Sequence, residues 1–268
     1  MIAGIRGASS GTRVTPDATA AVRPRLTWRV ATVIAVRDET ARARTLVLDV
    51  PDWTGHRAGQ HVDVRLVAED GYQAQRSYSI ASPPEDPTVA LTVERIDDGE
   101  VSPYLTGTLG VGDGLELRGP IGGYFAWEVA DGGPLLLVAG GSGVVPLAAM
   151  LRHHAGAAAD LRASAQIRLL YSARSLDDVF YRHEMETLGG AAEVDVVLTL
   201  TREAPDGWSG YRRRIDRAML EEVAWPPAAL ARAFVCGPTP LVESVATTLV
   251  ALGHEPARIR TERFGPTG

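Results

Sequence analysis

The sequence predicts two domains, an antiparallel β-barrel followed by an α/β doubly wound parallel sheet. Three observations carry this. Residues 27–125 hold short runs of alternating or β-branched residues separated by turn residues. From about residue 131 the rhythm changes to an apolar strand followed by a helix, repeated four times. A chain of 268 residues is also long enough for two ordinary domains with packed cores. The expected division is a mobile N-terminal tail over 1–26, the barrel over 27–130 and the α/β unit over 131–268.

In the first regime the strands are expected in WRVATVIAV, ARTLVLDV, QHVDVRLVA, QRSYSIAS, TVALTVERI and LELRG, with PDWTGHRAGQ, SPPEDP and VGDG as the turns between them. One short helix is expected in SPYLTGTL. Strands of this length and spacing suit a small antiparallel barrel. In the second regime LLLVAG, QIRLLYS, VDVVLTLT and AFVCG each precede a helical pattern. Near-continuous apolar strands are buried on both faces, which requires helices on both sides of a parallel sheet. Ser175 followed by Asp178 reads as a capping box opening the second of these helices.

Composition bounds the function. The net charge of −6 gives no bulk attraction to nucleic acid or to an anionic membrane. A single cysteine, Cys236, excludes an internal disulfide, a cysteine-rich zinc site or a chain-borne iron–sulfur cluster, and points to a reducing, cytoplasmic setting. The absence of lysine and asparagine reflects codon bias and carries no function. The uncharged stretch Gly132–Leu151 is long enough to span a bilayer, but Pro134, Gly140, Gly141, Gly143 and Pro146 interrupt it, so a strand, a glycine turn and a helix are expected, with no membrane span. The opening residues lack the continuous apolar centre of a signal peptide. No metal site is expected: His153 and His154 are adjacent, and neighbouring helical residues do not face one another. They suit partial positive charge at a helix end and nothing more.

The loop VAGGSGVVP follows a strand and opens a helix, the setting in which backbone N–H groups accept a phosphate. Gly141 and Gly143 would let a ligand approach the backbone. Pro146 replaces the third glycine of the dinucleotide fingerprint and fits a first helical turn. A tight turn without a ligand would carry the same glycines.

The ordered set RSYSI, GEVSPYL, GPIGGYF, GGSGVVP, YSAR, VCGPTP and ERF resembles the ferredoxin–NADP reductase family over residues 28–268. The resemblance implies a flavin-binding barrel, with FAD favoured over FMN, and a pyridine-nucleotide-binding α/β domain. Arg76 would then neutralise the flavin phosphate, Tyr78 would lie against the isoalloxazine, and Ser79 would hydrogen-bond near N5. Backbone around Val93 and Arg95 would line the ring and ribityl chain. Gly99, Val101 and Ser102 would bind phosphate, although Asp97, Asp98 and Glu100 crowd that segment. Gly141, Ser142, Gly143 and Val144, with Cys236, Gly237 and Pro238, would hold the nucleotide.

Ser172, Arg174 and Arg202 favour NADPH, while Asp177 and Asp178 nearby leave NADH open. Ser79, Cys236 and Glu262 match the family's catalytic cluster, with Glu262 as a proton relay, and Phe264 would cover the site. The implied reaction passes hydride from nicotinamide C4 to flavin N5. The onward acceptor would be a separate ferredoxin-like protein, with Arg212, Arg213 and Arg214 as a candidate docking cluster. The alternatives are direct reduction of free flavin, a quinone or a ferric chelate, or a non-catalytic nucleotide-binding regulatory subunit. A monomer is expected.

Overall fold

A computed structural model describes residues 26–265. The tail expected over 1–26 therefore lies outside the described residues, apart from Leu26. All six expected barrel strands form: β1 (Arg29–Thr40), β2 (Ala43–Asp49), β3 (His61–Val67), β4 (Gln73–Ser79), β5 (Val89–Glu94) and β6 (Gly114–Ile121). They make one antiparallel sheet in the order β4-β3-β6-β1-β2-β5. Helix α1 (Ser102–Gly107) lies between β5 and β6. Alternation along the strands sends Val62, Val64, Leu46, Leu48, Leu91, Val93, Leu115 and Leu117 into one fully buried core.

The sheet closes where its end strands meet, at the Ile80–Leu91 bridge and through the Ala81 N–H, which donates to the Ala90 carbonyl at 2.7 Å. Away from that closure β4 is paired with β3 and β5 with β2, so the two strands present unpaired edges to one another. This opening matters because backbone groups left unpaired by the sheet must find partners elsewhere.

The second unit is a parallel sheet in the order β11-β10-β7-β8-β9, built from β7 (Leu135–Gly140), β8 (Ile167–Ala173), β9 (Val194–Leu200), β10 (Arg232–Pro238) and β11 (Ile259–Phe264). Helices α2 (Val144–Gly156), α3 (Ala159–Ser164), α4 (Arg182–Leu188), α5 (Arg217–Val223) and α6 (Thr239–Ala251) cover it. Every residue of β7 is buried, as a central strand between two helical layers requires. The uncharged Gly132–Leu151 stretch becomes β7, its loop and α2, and among the described residues no helix is long and apolar enough to cross a membrane.

Three local readings are corrected. Ser175 and Asp178 do bond, with the Ser175 N–H and Oγ both donating to Asp178 Oδ2 at 3.1 and 2.7 Å. They close only a single 3-10 turn, because Tyr181 then takes a left-handed φ of 55° and the α-helix starts at Arg182. The C-terminal segment forms a fifth paired strand, β11, beyond the four strand-and-helix units expected. His153 is buried and used: its Nε2 accepts from the Val129 N–H at 3.2 Å, and its Nδ1 lies 2.5 Å from Glu85 Oε1.

The two units are joined by polar contacts. Arg152 of α2 donates to the Ala81 carbonyl at 2.6 Å, grips Glu184 through two nitrogens at 2.7 and 2.6 Å, and lies 4.4 Å over the Tyr181 ring. The Tyr181 hydroxyl in turn bonds Thr92 of β5.

Candidate active site

Strand β4 leads into the site. Arg76 and Tyr78 project from the same face of it as Ala74, in register with the core residues Val64 and Val62 of β3. Burial, opposed by the Arg76 charge, pushes the Tyr78 hydroxyl up to about 12. The Arg76 guanidinium is exposed; Nη1 donates to the Gln75 carbonyl at 2.7 Å and Nη2 lies 3.9 Å from Glu100.

Two of the three carboxylates after β5, Asp97 and Glu100, face arginines. Glu100 faces Arg76 and accepts from the Tyr72 hydroxyl at 2.9 Å. Asp97 is held by Arg42 at 3.0 Å and by Arg95 at 3.2 Å, and Arg42 foremost keeps its carboxyl below the ordinary range. Arg42 lies in the β1–β2 hairpin, more than fifty residues away in sequence, and no local motif marks it.

The expected phosphate residues divide. The Gly99 N–H donates to the Ile96 carbonyl at 2.9 Å, and Ser102 Oγ accepts from the Ile96 N–H at 3.0 Å, so both groups close the turn itself. Val101 is the buried N-cap of α1. The Val93 side chain belongs to the barrel core, which leaves only its backbone to face a ligand. The Arg95 N–H is taken by the Arg42 carbonyl at 2.7 Å.

The glycine loop is a single 3-10 turn, Gly141–Gly143, between β7 and α2. Gly141 has φ of +55° and open space where a side chain would stand, and it lines the cleft. Gly143 is dictated by packing instead: a Cβ there would come 2.2 Å from the Cys236 carbonyl oxygen. Gly237 is less constrained, with a would-be Cβ 3.1 Å from the Gly140 nitrogen. Ser142 lies within the turn, and Val144 and Pro146 are buried in the first turn of α2.

Between the two units runs a cleft of about 210 Å³, lined from the barrel by Thr40, Arg42 and Glu94, and from the α/β unit by Gly140, Gly141, Ser172, Arg174, Asp178, Thr201, Pro238, Leu241 and Phe264. Arg174 and Arg202 stand on adjacent strand ends, the Arg202 N–H donating to the Arg174 carbonyl at 2.9 Å. Both side chains are exposed. The cluster Arg212–Arg214 follows Tyr211, which bridges Thr199 of β9, and so lies at the opposite edge of the sheet from β11.

Cys236 and Glu262 are register partners on β10 and β11. Cys236 is buried, and burial together with the Glu262 carboxyl pushes its thiol well up, so it remains a neutral packing group. Burial raises the Glu262 carboxyl to about 7, and its Oε2 is buried with no hydrogen-bond partner. The Glu262 side chain as a whole is only half-buried, with its other oxygen facing His61 of the barrel. Ser79 ends β4 in register with His61 of β3, whose Nδ1 lies 3.9 Å from Glu262 Oε1. His61 is not among the residues expected at the site, since no local motif marks it.

Comparison with known proteins agrees with this geometry. Residues 29–126 match the family model described as the oxidoreductase FAD-binding domain, and 137–247 that of the oxidoreductase NAD-binding domain. A ferredoxin–NADP reductase B of Sorangium cellulosum is 36% identical over 217 residues, covering 77% of this chain and 85% of that protein. The chain belongs to the ferredoxin–NADP reductase family. Another member-like relative, the glycine betaine monooxygenase reductase subunit of Pseudomonas aeruginosa, is 32% identical over 87% of this chain, which spans 63% of that protein's length. Among solved structures, an Amycolatopsis cytochrome P450 reductase superposes with a TM-score of 0.78 at 28% identity, covering 95% of this chain and 74% of that one. The FAD/NAD-binding domain of a Vibrio cholerae nitric oxide dioxygenase superposes at 0.77 and 25% identity, covering 89% and 99%.

The cofactors of this reductase family, FAD and a pyridine nucleotide, fit the residues present. The unpaired edges of β4 and β5 can receive a planar ring, the exposed Arg76 can receive a phosphate, and Gly141 leaves backbone open at the mouth of the cleft.

Proposed function

We propose that this protein is an NADPH-oxidising FAD reductase that delivers electrons to a separate ferredoxin-like iron–sulfur carrier. The observation that carries the reading is the register pairing of buried Cys236 with half-buried Glu262, which faces the barrel through His61, the strand partner of Ser79. When bound, the pyridine nucleotide supplies hydride from C4 and the flavin accepts it at N5 and releases electrons singly.

The residues of the chain position and insulate. Arg76 binds the flavin phosphate, Tyr78 packs its apolar body against the ring, and Ser79 offers its hydroxyl at the reacting edge. Backbone at Val93 and Arg95 supports the other side. The nucleotide is held by the Gly141–Val144 turn and by Gly237 and Pro238, with Cys236 shaping the ring's seat without covalent chemistry. Glu262, protonated over part of the neutral range, holds a proton at Oε2 beside that seat. Phe264 lines the same cleft and excludes water. We assign residues 27–130 to the flavin unit and 131–268 to the nucleotide unit.

Preference for NADPH is supported by two exposed guanidinium groups, Arg174 and Arg202, at neighbouring strand ends. Of the two carboxylates that leave NADH open, Asp178 accepts from Ser175 through Oδ2, while Asp177 is exposed. The second reading, reduction of a small acceptor, draws on the open cleft between the units.

The test is an anaerobic absorption spectrum of the purified protein. A yellow protein bleached faster by NADPH than by NADH, and turning over faster with a ferredoxin than with a quinone or ferric chelate, is the expected result. Colourless protein that fails to take up added FAD would end the proposal.

A further inference from the structure

Tyr181 holds a backbone conformation that its residue type rarely takes. Among the described residues three that are not glycine have positive φ; Asp52 and Leu230 are exposed, whereas Tyr181, at 55°, is buried. A bulky residue keeps such a conformation only where its surroundings over-determine it. Here they act from both units. The ring lies 4.4 Å beneath the Arg152 guanidinium, and the hydroxyl leaves its own unit to bond Thr92 of β5. Thr92 Oγ1 lies 2.7 Å from Thr45 Oγ1 of β2, which donates to Glu39 Oε1 of β1 at 2.6 Å. A carboxylate accepts and each hydroxyl has one proton to give, so donation runs one way, from Tyr181 through Thr92 and Thr45 to Glu39.

We propose that Tyr181 is a positioning residue for the nucleotide cleft: bonded into the barrel, it fixes the 176–181 segment so that Asp178 and Phe180 stand as part of the cleft wall. This rests on the reading of that cleft as the pyridine-nucleotide site. Both wall residues line the cleft beside Ser172 and Arg174. The Phe180 N–H donates to the Tyr171 hydroxyl of β8 at 3.2 Å, so the segment hangs between two tyrosines. The second of them crosses between the units, and it sets how far the wall stands from Thr40, Arg42 and Glu94 on the barrel side.

The tie persists at neutral pH. Burial, opposed by the Arg152 charge, pushes the Tyr181 hydroxyl up to about 12, so it keeps the proton it donates. Thr45 and Thr92 are themselves buried, and water does not compete for their hydroxyls. Without the Tyr181 hydroxyl, Thr92 would be left as a buried acceptor lacking its donor. The backbone would then be freer to leave its left-handed φ and carry Phe180 off the cleft.

The experiment uses the full-length protein. Tyr181→Phe keeps the ring beneath Arg152 and removes only the hydroxyl, while Thr92→Val removes its acceptor at nearly constant volume. Each should raise the NADP+ dissociation constant, read by titration calorimetry, about fivefold, and the double variant should raise it no further. Thr92→Ser, which restores a hydroxyl, should recover most of the affinity. Tyr181→Phe should leave the FAD dissociation constant and the bleaching rate at saturating NADPH within about twofold of wild type, so that KM moves and kcat does not. Amide hydrogen exchange at Phe180 and Tyr181 should quicken about fivefold in both single variants. Wild-type NADP+ affinity in Tyr181→Phe, losses that add in the double variant, or exchange that stays at the wild-type rate overturns the proposal. A wild type that binds neither NADP+ nor NAD+, with exchange quickened in the variants, would uphold the tie to the barrel and sink the nucleotide reading instead.

Discussion

Replacing Gly143 with alanine tests the architecture of the nucleotide loop. The added Cβ would lie 2.2 Å from the Cys236 carbonyl oxygen, 2.5 Å from its carbon and 2.8 Å from the Gly237 nitrogen. All three are backbone atoms, so no side chain can swing away, and the loop must retreat by about 1 Å to reach ordinary contact. Overpacking of this kind costs about 3 kcal/mol, the upper end of its usual range, because two strands and a helix converge there. At 2–4 °C per kcal/mol for a domain of this size, Tm should fall by about 6–12 °C. Gly141→Ala is the control, since its Cβ meets nothing within 4 Å and only its φ of +55° opposes the change. That variant should cost about 1 kcal/mol. Differential scanning calorimetry of both decides the matter: Gly141→Ala destabilising more than Gly143→Ala would refute the packing argument.

Three further outcomes are expected. Glu262 is raised from 4.5 to about 7 on folding, so the folded state holds a proton that the unfolded state loses between those values; stability falls as pH rises through that window, by at most about 3 kcal/mol. Glu262→Gln should therefore gain Tm over wild type above pH 7 and converge with it below 4.5, and parallel curves would contradict this. Arg152→Ala should lose about 3 kcal/mol in a denaturant titration, since Glu184 and the Ala81 carbonyl both lose their partner, and Arg152→Lys should recover less than half of it. Arg174→Ala with Arg202→Ala should lower kcat/KM for NADPH by roughly tenfold per residue while leaving NADH nearly untouched, measured by stopped-flow bleaching.

What could be read locally was read correctly where the cause is local. Alternation placed all six barrel strands, and continuous apolar runs placed β7 to β10, because burial on one or both faces writes itself into period and composition. The Ser175–Asp178 bond formed as the residues predict, but the α-helix begins only after Tyr181, whose φ is 55° and whose side chain is held by Arg152 and Thr92 of distant segments. Strand β11 escaped because IRTERF is mostly half-buried and polar, as an edge strand is.

The chain by itself determined its two-unit architecture, its family motifs and the residues Ser79, Cys236 and Glu262, since each sits in a recognisable short segment. Only tertiary structure decided what those residues do to one another. It set the Cys236 carbonyl where a side chain at Gly143 would stand, paired Asp97 with a distant hairpin arginine, and brought His61 to Glu262. Such contacts join residues separated by tens to hundreds of positions, and their energies depend on distance and burial, which no local pattern of residues encodes.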